Sequence, residues 1–256
     1  MRWEDVLYTQ GFGTRRECRF LIAAGAVQVG GDRRPVTDPD EPFAGGGPAP
    51  GMVFWVQGQR WCYQPRAYLM LHKPAGYECS QRPGAWPPVH ALLPPPLRRR
   101  PGLATPGVQP IGRLDQDTTG LLLLSDDGAF IHRLSSPRHH VPKVYEVTCR
   151  HPVDAAQLAR LREGVVLRDD PRPVRPAALE VIGERRLRLT LTEGRYHQVK
   201  RMVAAAGNRV EALHRSAIGP VQLPPDLPPG AWRWLSPDEI AALHAAGVRA
   251  DRSETR

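Results

Sequence analysis

The sequence has few cysteines and no long apolar run. Its four cysteines, Cys18, Cys62, Cys79 and Cys149, are scattered without a Cys-x-x-Cys pair, which argues against a zinc site or a disulfide framework. No apolar stretch approaches the roughly 18 residues of a membrane span, and the N-terminal residues lack the apolar centre of a signal peptide. These absences predict a soluble protein of the reducing cytoplasm that has no membrane partner.

Several enzyme signatures are also missing. The sequence contains no G-x-S-x-G elbow, no phosphate-binding loop, no H-E-x-x-H and no Rossmann glycine pattern. The aspartates between residues 115 and 126 have the spacing of a calcium loop, but the Gly- and Pro-containing stretch before them cannot form the helix that an EF-hand requires there. We therefore predict no metal site.

Positive charge is in excess. The 256 residues include 35 Lys and Arg against 26 Asp and Glu, a formal net charge of +9. Such a surplus favours a polyanionic partner, most simply a nucleic acid. Residues 1–43 carry six arginines and seven acidic residues, so the surplus belongs to the rest of the chain.

The first segment, residues 1–60, has the pattern of two helices followed by strands. Thr14 and Glu17 have the spacing of a capping box at the start of the second helix. Arg15, Arg16 and Arg19 lie on or near the outer side of that helix, where they either contact phosphates or form an ordinary solvated face. A Pro- and Gly-rich stretch follows, and we place a domain boundary within residues 58–66.

The second segment, residues 66–246, mixes strands and helices without a regular β-α-β rhythm, which predicts an α+β fold. Alternating or apolar runs predict strands at 67–74, 121–124, 143–149 and 209–219, and a helix at 195–208. The Pro-rich residues 82–110 predict an exposed irregular loop, with Arg98–Arg100 as a solvated patch. Residues 247–256 are expected to form a disordered tail.

One aspartate stands out at the entrance of an apolar strand. In "GRLDQDTTGLLLLSDDG", residues 112–128, Asp115 precedes four consecutive leucines. A carboxylate in such a place is unfavourable unless it is paired, and Arg113 is the nearest candidate partner in the sequence. The placement suggests that Asp115 is a working group.

Four segments resemble, in order and spacing, the motifs of pseudouridine synthases. They are "GRLDQDTTGLLLLSDDG", "SPRHHVPKVYEV", "EGRYHQVKRM" and "LHRSAIG", and the likeness covers roughly residues 66–240. The chain is most similar to the small-subunit ribosomal RNA pseudouridine synthase A family, and residues 1–60 resemble the S4 RNA-binding domain that precedes the catalytic domain there. The resemblance implies a mixed, largely antiparallel β-sheet catalytic domain with flanking helices.

The resemblance also implies a reaction and residue roles. Uracil is detached from its ribose, turned and rejoined through carbon 5, without a cofactor or metal. Asp115 matches the aspartate that acts at the sugar carbon C1′, as a nucleophile or by promoting glycal formation. Tyr145 matches the residue that stacks on the base and removes the carbon-5 proton, and Leu213 matches an apolar shelf beneath the ring. Arg113 and Arg215 are expected to bind the substrate.

The cation that partners Asp115 must be chosen between two neighbours, Lys200 and Arg201. On an ideal helix the apolar stripe centres near Val199 and Ala206, so Arg201 lies opposite the stripe and Lys200 at its edge. A lysine at an edge can bury its stem and direct its amine into a cleft. Lys200 also aligns with the basic position of the family motif. We predict that Lys200 partners Asp115 and that Arg201 contacts RNA phosphate or a surface acid.

The implied substrate is one uridine of 16S ribosomal RNA, by the family's convention position 516, which must flip out of its surroundings to be reached. Three alternatives stay open: a synthase acting on large-subunit RNA, a catalytically silent RNA-binding assembly factor, and an unrelated carboxylate hydrolase. The hydrolase needs a second acid, for which Asp117 is the only close candidate; the family pattern makes Asp117 a loop-stabilising residue instead. We expect a monomer whose partner is ribosomal RNA.

Overall fold

The computed structural model describes residues 1–80, 82–168 and 170–246 and divides into two compact units. The first unit contains residues 1–68, 90–109 and 124–128. The second contains residues 69–89 and 110–123 and, of the described residues, 129–168 and 170–246. The tail predicted at 247–256 lies outside the described residues.

Three short helices and a four-stranded antiparallel sheet form the first unit, and its first two helices and the strands after them follow the order that the sequence predicts. Its elements are α1 (Trp3–Gln10), α2 (Arg15–Ala23), β1 (Val27–Val29), β2 (Arg34–Pro35), β3 (Val53–Val56), β4 (Gln59–Cys62) and, later in the chain, α3 (Pro95–Arg99). The strands are ordered β2-β1-β3-β4. At the start of α2, Thr14 and Glu17 cap each other's backbone N–H groups, which confirms the capping box.

The core of the first unit lies between its helices and its sheet. Apolar residues recur three or four positions apart in each helix, and this spacing places them on one helical face. Their side chains meet those of alternate strand residues, and the buried set is Trp3, Val6, Leu7, Cys18, Ile22, Val27, Val36, Phe54, Val56 and Tyr63. This unit therefore has a hydrophobic core of its own.

The Pro-rich segment differs from its prediction as an exposed loop. It contains α3, its Leu93 and Leu97 are buried, and Arg100 is only 1% exposed. Arg100 is satisfied because its guanidinium contacts the Asp126 carboxylate at 2.6 Å and donates to Gln10 at 3.0 Å. The prediction of a solvated patch is therefore wrong for Arg100, whose ion-pair partner lies 26 residues further along the chain.

These contacts also extend the first unit past residue 60. The unit continues to Tyr68 and includes residues 90–109 and 124–128, which the sequence assigned to the second segment. The resemblance of residues 1–60 to an S4 domain stays a prediction.

A nine-stranded mixed sheet dominates the second unit and confirms the α+β class. Its strands are β5 (Tyr68–Lys73), β6 (Gln109–Pro110), β7 (Thr119–Ser125), β8 (Lys143–Cys149), β11 (Ala178–Gly183), β12 (Arg186–Leu191), β13 (Val210–Ile218), β14 (Val221–Gln222) and β15 (Trp232–Trp234); β9 (Val165–Leu167) and β10 (Asp170–Val174) form a separate pair. The main order is β11-β12-β8-β13-β7-β5-β15, in which β7 and β13 are parallel.

Four helices flank these strands: α4 (Gly128–Ser135), α5 (Ala155–Glu163), α6 (Gln198–Ala205) and α7 (Pro237–Ala245). Helix α6 begins three residues later than the sequence predicts. His197 precedes it in the left-handed conformation, with φ of 48°, so a turn replaces the first residues of the expected helix. Val199, Met202 and Val203 of α6 join the sheet residues Leu189 and Leu213 in one buried cluster.

Candidate active site

The loop before β7 carries Asp115, and a buried lysine holds that loop from beneath. Lys73, at the end of β5, donates from Nζ to the backbone oxygens of Asp115 at 2.9 Å, Gln116 at 3.2 Å and Thr118 at 2.8 Å. Burial lowers the pKa of Lys73, while its hydrogen bonds to four carbonyl groups satisfy the ammonium hydrogens. The sequence pattern predicts Lys73 only as a strand residue, and this contact was not predicted.

A close approach of two strands fixes where the loop ends. Gly120 of β7 lies beside Arg215 of β13 and has φ of +107°. A Cβ at this position would lie 2.3 Å from the backbone oxygen of Arg215, so only glycine fits. Next to it, Thr119 Oγ1 hydrogen-bonds His214 Nδ1 at 2.9 Å. The start of β7 is thus held firmly against β13.

The turn before α6 and the first turn of α6 each bring one nitrogen group to the Asp115 carboxylate. Lys200 Nζ lies 3.0 Å from Oδ2, and His197 Nε2 lies 3.3 Å from Oδ1. The buried Gln198 fixes the turn, because its amide donates to Glu193 at 2.9 Å and accepts from the backbone N–H of Arg195 at 2.8 Å. Both carboxylate oxygens of Asp115 are therefore contacted by side chains from a single segment.

Lys200 also contacts a second carboxylate, that of Asp117, at 2.6 Å. Burial acts to lower the pKa of Lys200, but hydrogen bonds to Asp117 and Asp115 outweigh it and the pKa is raised. For Asp117, burial acts to raise the pKa, and the hydrogen bond and charge of Lys200 lower it overall. Lys200 is therefore a permanent cation between two aspartates. The side chain of Asp115 is 27% exposed and that of Asp117 is 54% exposed.

Other predicted partners of Asp115 lie elsewhere. Arg113 is exposed, and within the described part of the chain the side chains in contact with the Asp115 carboxylate are Lys200 and His197, so Arg113 is not its partner. Arg201 donates from Nη1 to the backbone oxygen of Tyr196 at 3.1 Å. His197 was missed by sequence reasoning; its position in the "GRYHQVKR" motif was the available signal.

Tyr145 and Leu213 share one face of the sheet. Tyr145 of β8 is directly opposite Arg215 of β13, and Leu213 is opposite Val147. Opposed residues of antiparallel strands point to the same side. Leu213 is buried in the cluster that includes α6, and Tyr145 packs against that cluster while remaining partly exposed. The helix that carries Lys200 therefore covers the face that carries both residues.

Arg215 has a different position from the substrate-facing one expected. It is 1% exposed, and its Nε donates to the backbone oxygen of Leu121 at 2.8 Å. Its Nη2 atom is buried and has no hydrogen-bond partner among the described residues. The Arg215 side chain is therefore covered by other residues in this structure. Direct substrate contact by Arg215 stays a prediction.

The arginines predicted to contact RNA lie in the first unit. Arg15 pairs with Glu4 at 2.8 Å and with Asp5 at 2.7 Å. Arg19 pairs with Glu4 and, at 2.8 Å, with Asp40. Arg16 is exposed. Two of the three side chains are therefore already engaged by carboxylates, and phosphate contact by the cluster stays a prediction.

Metal-binding clusters and membrane-spanning helices are both absent from the described ranges, 1–80, 82–168 and 170–246. No three or more His, Cys, Asp or Glu side chains in these ranges are grouped so that they could hold a metal ion. None of the helices in these ranges combines the length and the hydrophobicity of a transmembrane segment. The chemistry that the site offers is that of a partly exposed carboxylate held by a lysine and a histidine.

Comparisons with known proteins place this geometry in a family. The RNA pseudouridylate synthase family matches residues 67–205. The chain is 39% identical over 249 residues to the ribosomal small subunit pseudouridine synthase A of Pasteurella multocida, covering 95% of this chain and 100% of that protein. It is 46% identical over 176 residues to the protein of the same name from Escherichia coli (strain K12), covering 69% of this chain and 73% of that protein.

A solved structure agrees with the sequence relatives. The crystal structure of a pseudouridylate synthase superimposes with a TM-score of 0.63 at 34% sequence identity, over 95% of this chain and 99% of that one. The family match includes the strand and loop that carry Lys73 and Asp115, the strand of Tyr145 and the helix of Lys200. The chain therefore belongs to the RNA pseudouridylate synthase family and is an isomerase.

Proposed function

We propose that this protein converts one uridine of small-subunit (16S) ribosomal RNA into pseudouridine. The observation that carries the proposal is the contact of Lys200 and His197 with both oxygens of Asp115, within the motif that matches the family's aspartate. The two relatives described above are named as small-subunit enzymes, which supports this RNA over large-subunit RNA.

Asp115 acts at the sugar of the target nucleotide. Lys200 supplies the positive charge that an ionised carboxylate needs beside it, and Lys73 fixes the loop so that the carboxylate keeps its position. Asp115 either attacks C1′ directly or promotes glycal formation. In both routes the bond between N1 and C1′ breaks, and its electron pair stays with the ring nitrogen.

Tyr145 and Leu213 act on the base. After the ring turns, carbon 5 forms the new bond to C1′ while it still carries its hydrogen. In the direct route the ester bond between Asp115 and C1′ breaks in this step, and in the glycal route C2′ regains the proton that it lost. The phenolic oxygen of Tyr145 takes the carbon-5 hydrogen as a proton and releases its own proton to solvent, and N1 gains a proton from solvent, so the product has the composition of the starting nucleotide. Leu213 forms the apolar shelf beneath the ring. Support comes from the shared sheet face of Tyr145 and Leu213.

RNA binding rests on charge. The net charge of +9 attracts the phosphate backbone, and the target uridine must flip out to reach Asp115. We assign phosphate contacts to Arg113 and Arg201, and a docking role to the S4-like residues 1–60 through Arg15, Arg16 and Arg19. Four free cysteines suit a protein that works as a monomer in the cytoplasm.

The test uses 16S ribosomal RNA transcribed with tritium at carbon 5 of uridine. Pseudouridine formation exchanges that hydrogen with water, so the wild-type protein should release tritium equivalent to one site. Mapping of the product RNA should place the pseudouridine at the uridine that the family modifies. Labelled 23S RNA serves as the comparison. Release from 23S RNA alone would favour the large-subunit alternative, and binding without release from either RNA would favour the silent assembly factor.

A further inference from the structure

An exposed aromatic ring stands beside the catalytic carboxylate. Tyr196 is 75% exposed, more than any other large apolar or aromatic residue described. Its ring stacks on that of His197 with centroids 3.8 Å apart and an interplanar angle of 19°. Because one face of the Tyr196 ring covers His197, its opposite face is the one open to solvent.

The turn that carries the ring is held by hydrogen bonds although the ring itself is exposed. The backbone oxygen of Tyr196 accepts a hydrogen bond from Arg201 at 3.1 Å, and the Gln198 contacts fix the turn on either side. His197 has φ of 48°, a left-handed conformation that is unfavourable for a residue with a side chain. A strained turn that displays an aromatic ring to solvent does not serve the core.

The two stacked rings lie between the Asp115 carboxylate and solvent. The inner ring, His197, contacts Asp115 Oδ1 through Nε2 at 3.3 Å. The outer ring, Tyr196, is one stacking distance further out. A nucleotide whose sugar lies at Asp115 therefore has its chain neighbour within reach of the open face of Tyr196.

We propose that Tyr196 is a binding residue on which the unpaired base next to the target uridine stacks. This inference rests on the proposed function, because it assumes that a uridine occupies the site. Flipping one nucleotide removes a stacking partner from its neighbour, and single-stranded RNA bases are commonly recognised by stacking on aromatic side chains. The histidine behind Tyr196 completes a continuous stack of base, Tyr196 and His197.

The test measures RNA affinity and single-turnover rate for Tyr196→Ala and Tyr196→Phe, with Val181→Ala as the control. Val181 is an exposed apolar residue on β11, outside the site. Loss of one base–aromatic stack should weaken binding of a 16S fragment by about 5- to 150-fold for Tyr196→Ala. Tyr196→Phe should bind as the wild type does, because stacking needs the ring and not the hydroxyl. The rate at saturating RNA should change less than the affinity.

The stacked base is identified with two further RNAs, each abasic on one side of the target uridine. For one of them the wild-type protein should lose as much affinity as Tyr196→Ala loses on intact RNA, and Tyr196→Ala should lose little more. Additive losses on both abasic RNAs, unchanged affinity of Tyr196→Ala, or failure of Tyr196→Phe to restore binding would overturn the proposal. Affinity is measured by fluorescence anisotropy, so a wild-type protein that binds the fragment but forms no pseudouridine contradicts the proposed function and not the stacking role.

Discussion

Lys73 holds Asp115 through the main chain: its buried amine donates to the Asp115 backbone oxygen at 2.9 Å and not to the carboxylate. One amine also holds the backbone oxygens of Gln116 and Thr118, so it fixes the whole turn. Asp115, which does the proposed chemistry, lies in the loop before β7. Lys73, which positions it, lies in a separate element, strand β5.

Replacing Lys73 with Met should therefore damage catalysis more than binding. A carboxylate displaced by about 1 Å can lose about 100-fold in rate, and the loss of the hydrogen bonds from the buried ammonium should destabilise the fold by about 1–3 kcal/mol. Single-turnover rates and urea unfolding measure the two effects. Gln116→Ala is the control, because it keeps the backbone oxygen and should stay active. An unchanged rate in Lys73→Met would contradict the positioning role.

Asp115→Asn should fold and bind RNA but form no detectable pseudouridine. The amide keeps the shape of the carboxylate and removes its charge and nucleophilicity. The ion pair with Lys200 is partly solvated, so the free energy of unfolding should change by no more than about 1 kcal/mol. Asp117→Asn, which removes the other contact of Lys200, should remain active. If Asp115→Asn melted early yet turned over at a comparable rate, the catalytic assignment would fail.

Lys200→Met and Arg201→Met should separate catalysis from binding. Two carboxylates raise the pKa of Lys200 above its ordinary value of 10.5, so its charge is present throughout the neutral range and is lost only at strongly alkaline pH. Without that charge, the acid limb of the rate profile should move to higher pH. Arg201→Met should keep the wild-type profile and weaken RNA binding. Single-turnover rates measured from pH 5 to 9, together with RNA affinities, distinguish the two roles. A shifted profile for Arg201→Met and weakened binding for Lys200→Met would exchange the roles of the two residues.

Arg100 should be the most sensitive arginine of the first unit. Its ion pair with Asp126 is buried, with side chains 1% and 3% exposed. Arg100→Met leaves an unpaired carboxylate in the interior, which should reduce the free energy of unfolding by about 3–5 kcal/mol. Its exposed neighbour Arg99 provides the matched control, for which Arg99→Met should change stability by less than about 0.5 kcal/mol. Equal stabilities in urea denaturation would disprove the burial argument.

The first unit should lose stability in acid. Hydrogen bonds from Arg15 and Arg19 lower the pKa of Glu4 below its ordinary value of 4.5, and the same arginines lower those of Asp5 and Asp40. A lowered pKa in the folded state contributes stability above the ordinary carboxyl value, and this contribution disappears as the pH falls through the lowered value. Urea unfolding followed by circular dichroism should therefore show declining stability below about pH 4.5. The double variant Arg15→Met/Arg19→Met should decline less steeply; an identical slope would exclude the network.

Local patterns predicted much of the fold. The strand of four leucines, the capping box at Thr14 and the strand from Lys143 to Cys149 each rest on a short stretch whose periodicity or capping chemistry is visible in the sequence. The choice of Lys200 over Arg201 used the geometry of one helix together with the family motif, and in the structure it is Lys200 whose amine lies at Asp115.

Long-range contacts account for the differences. Arg100 looks solvated in a run of arginines because its partner Asp126 is remote in sequence. The role of His197 depends on a left-handed residue that shortens α6, and no propensity requires that conformation of a histidine. The pair β9–β10 was not predicted, since the two prolines and the charged residues of β10 obscure the strand pattern.

Gly120 carries no chemistry, yet a random library of variants should find it as intolerant as the aspartate itself. Even the single methyl group of alanine would collide with the main chain of β13 at 2.3 Å, so every replacement pushes apart the strands that hold the Asp115 loop and Leu213 in register. Tolerance to replacement therefore does not distinguish a reacting group from a spacer here. The two differ in what a replacement leaves intact: Asp115→Asn should keep the fold and the RNA affinity, whereas any replacement of Gly120 should disturb the packing of β7 against β13.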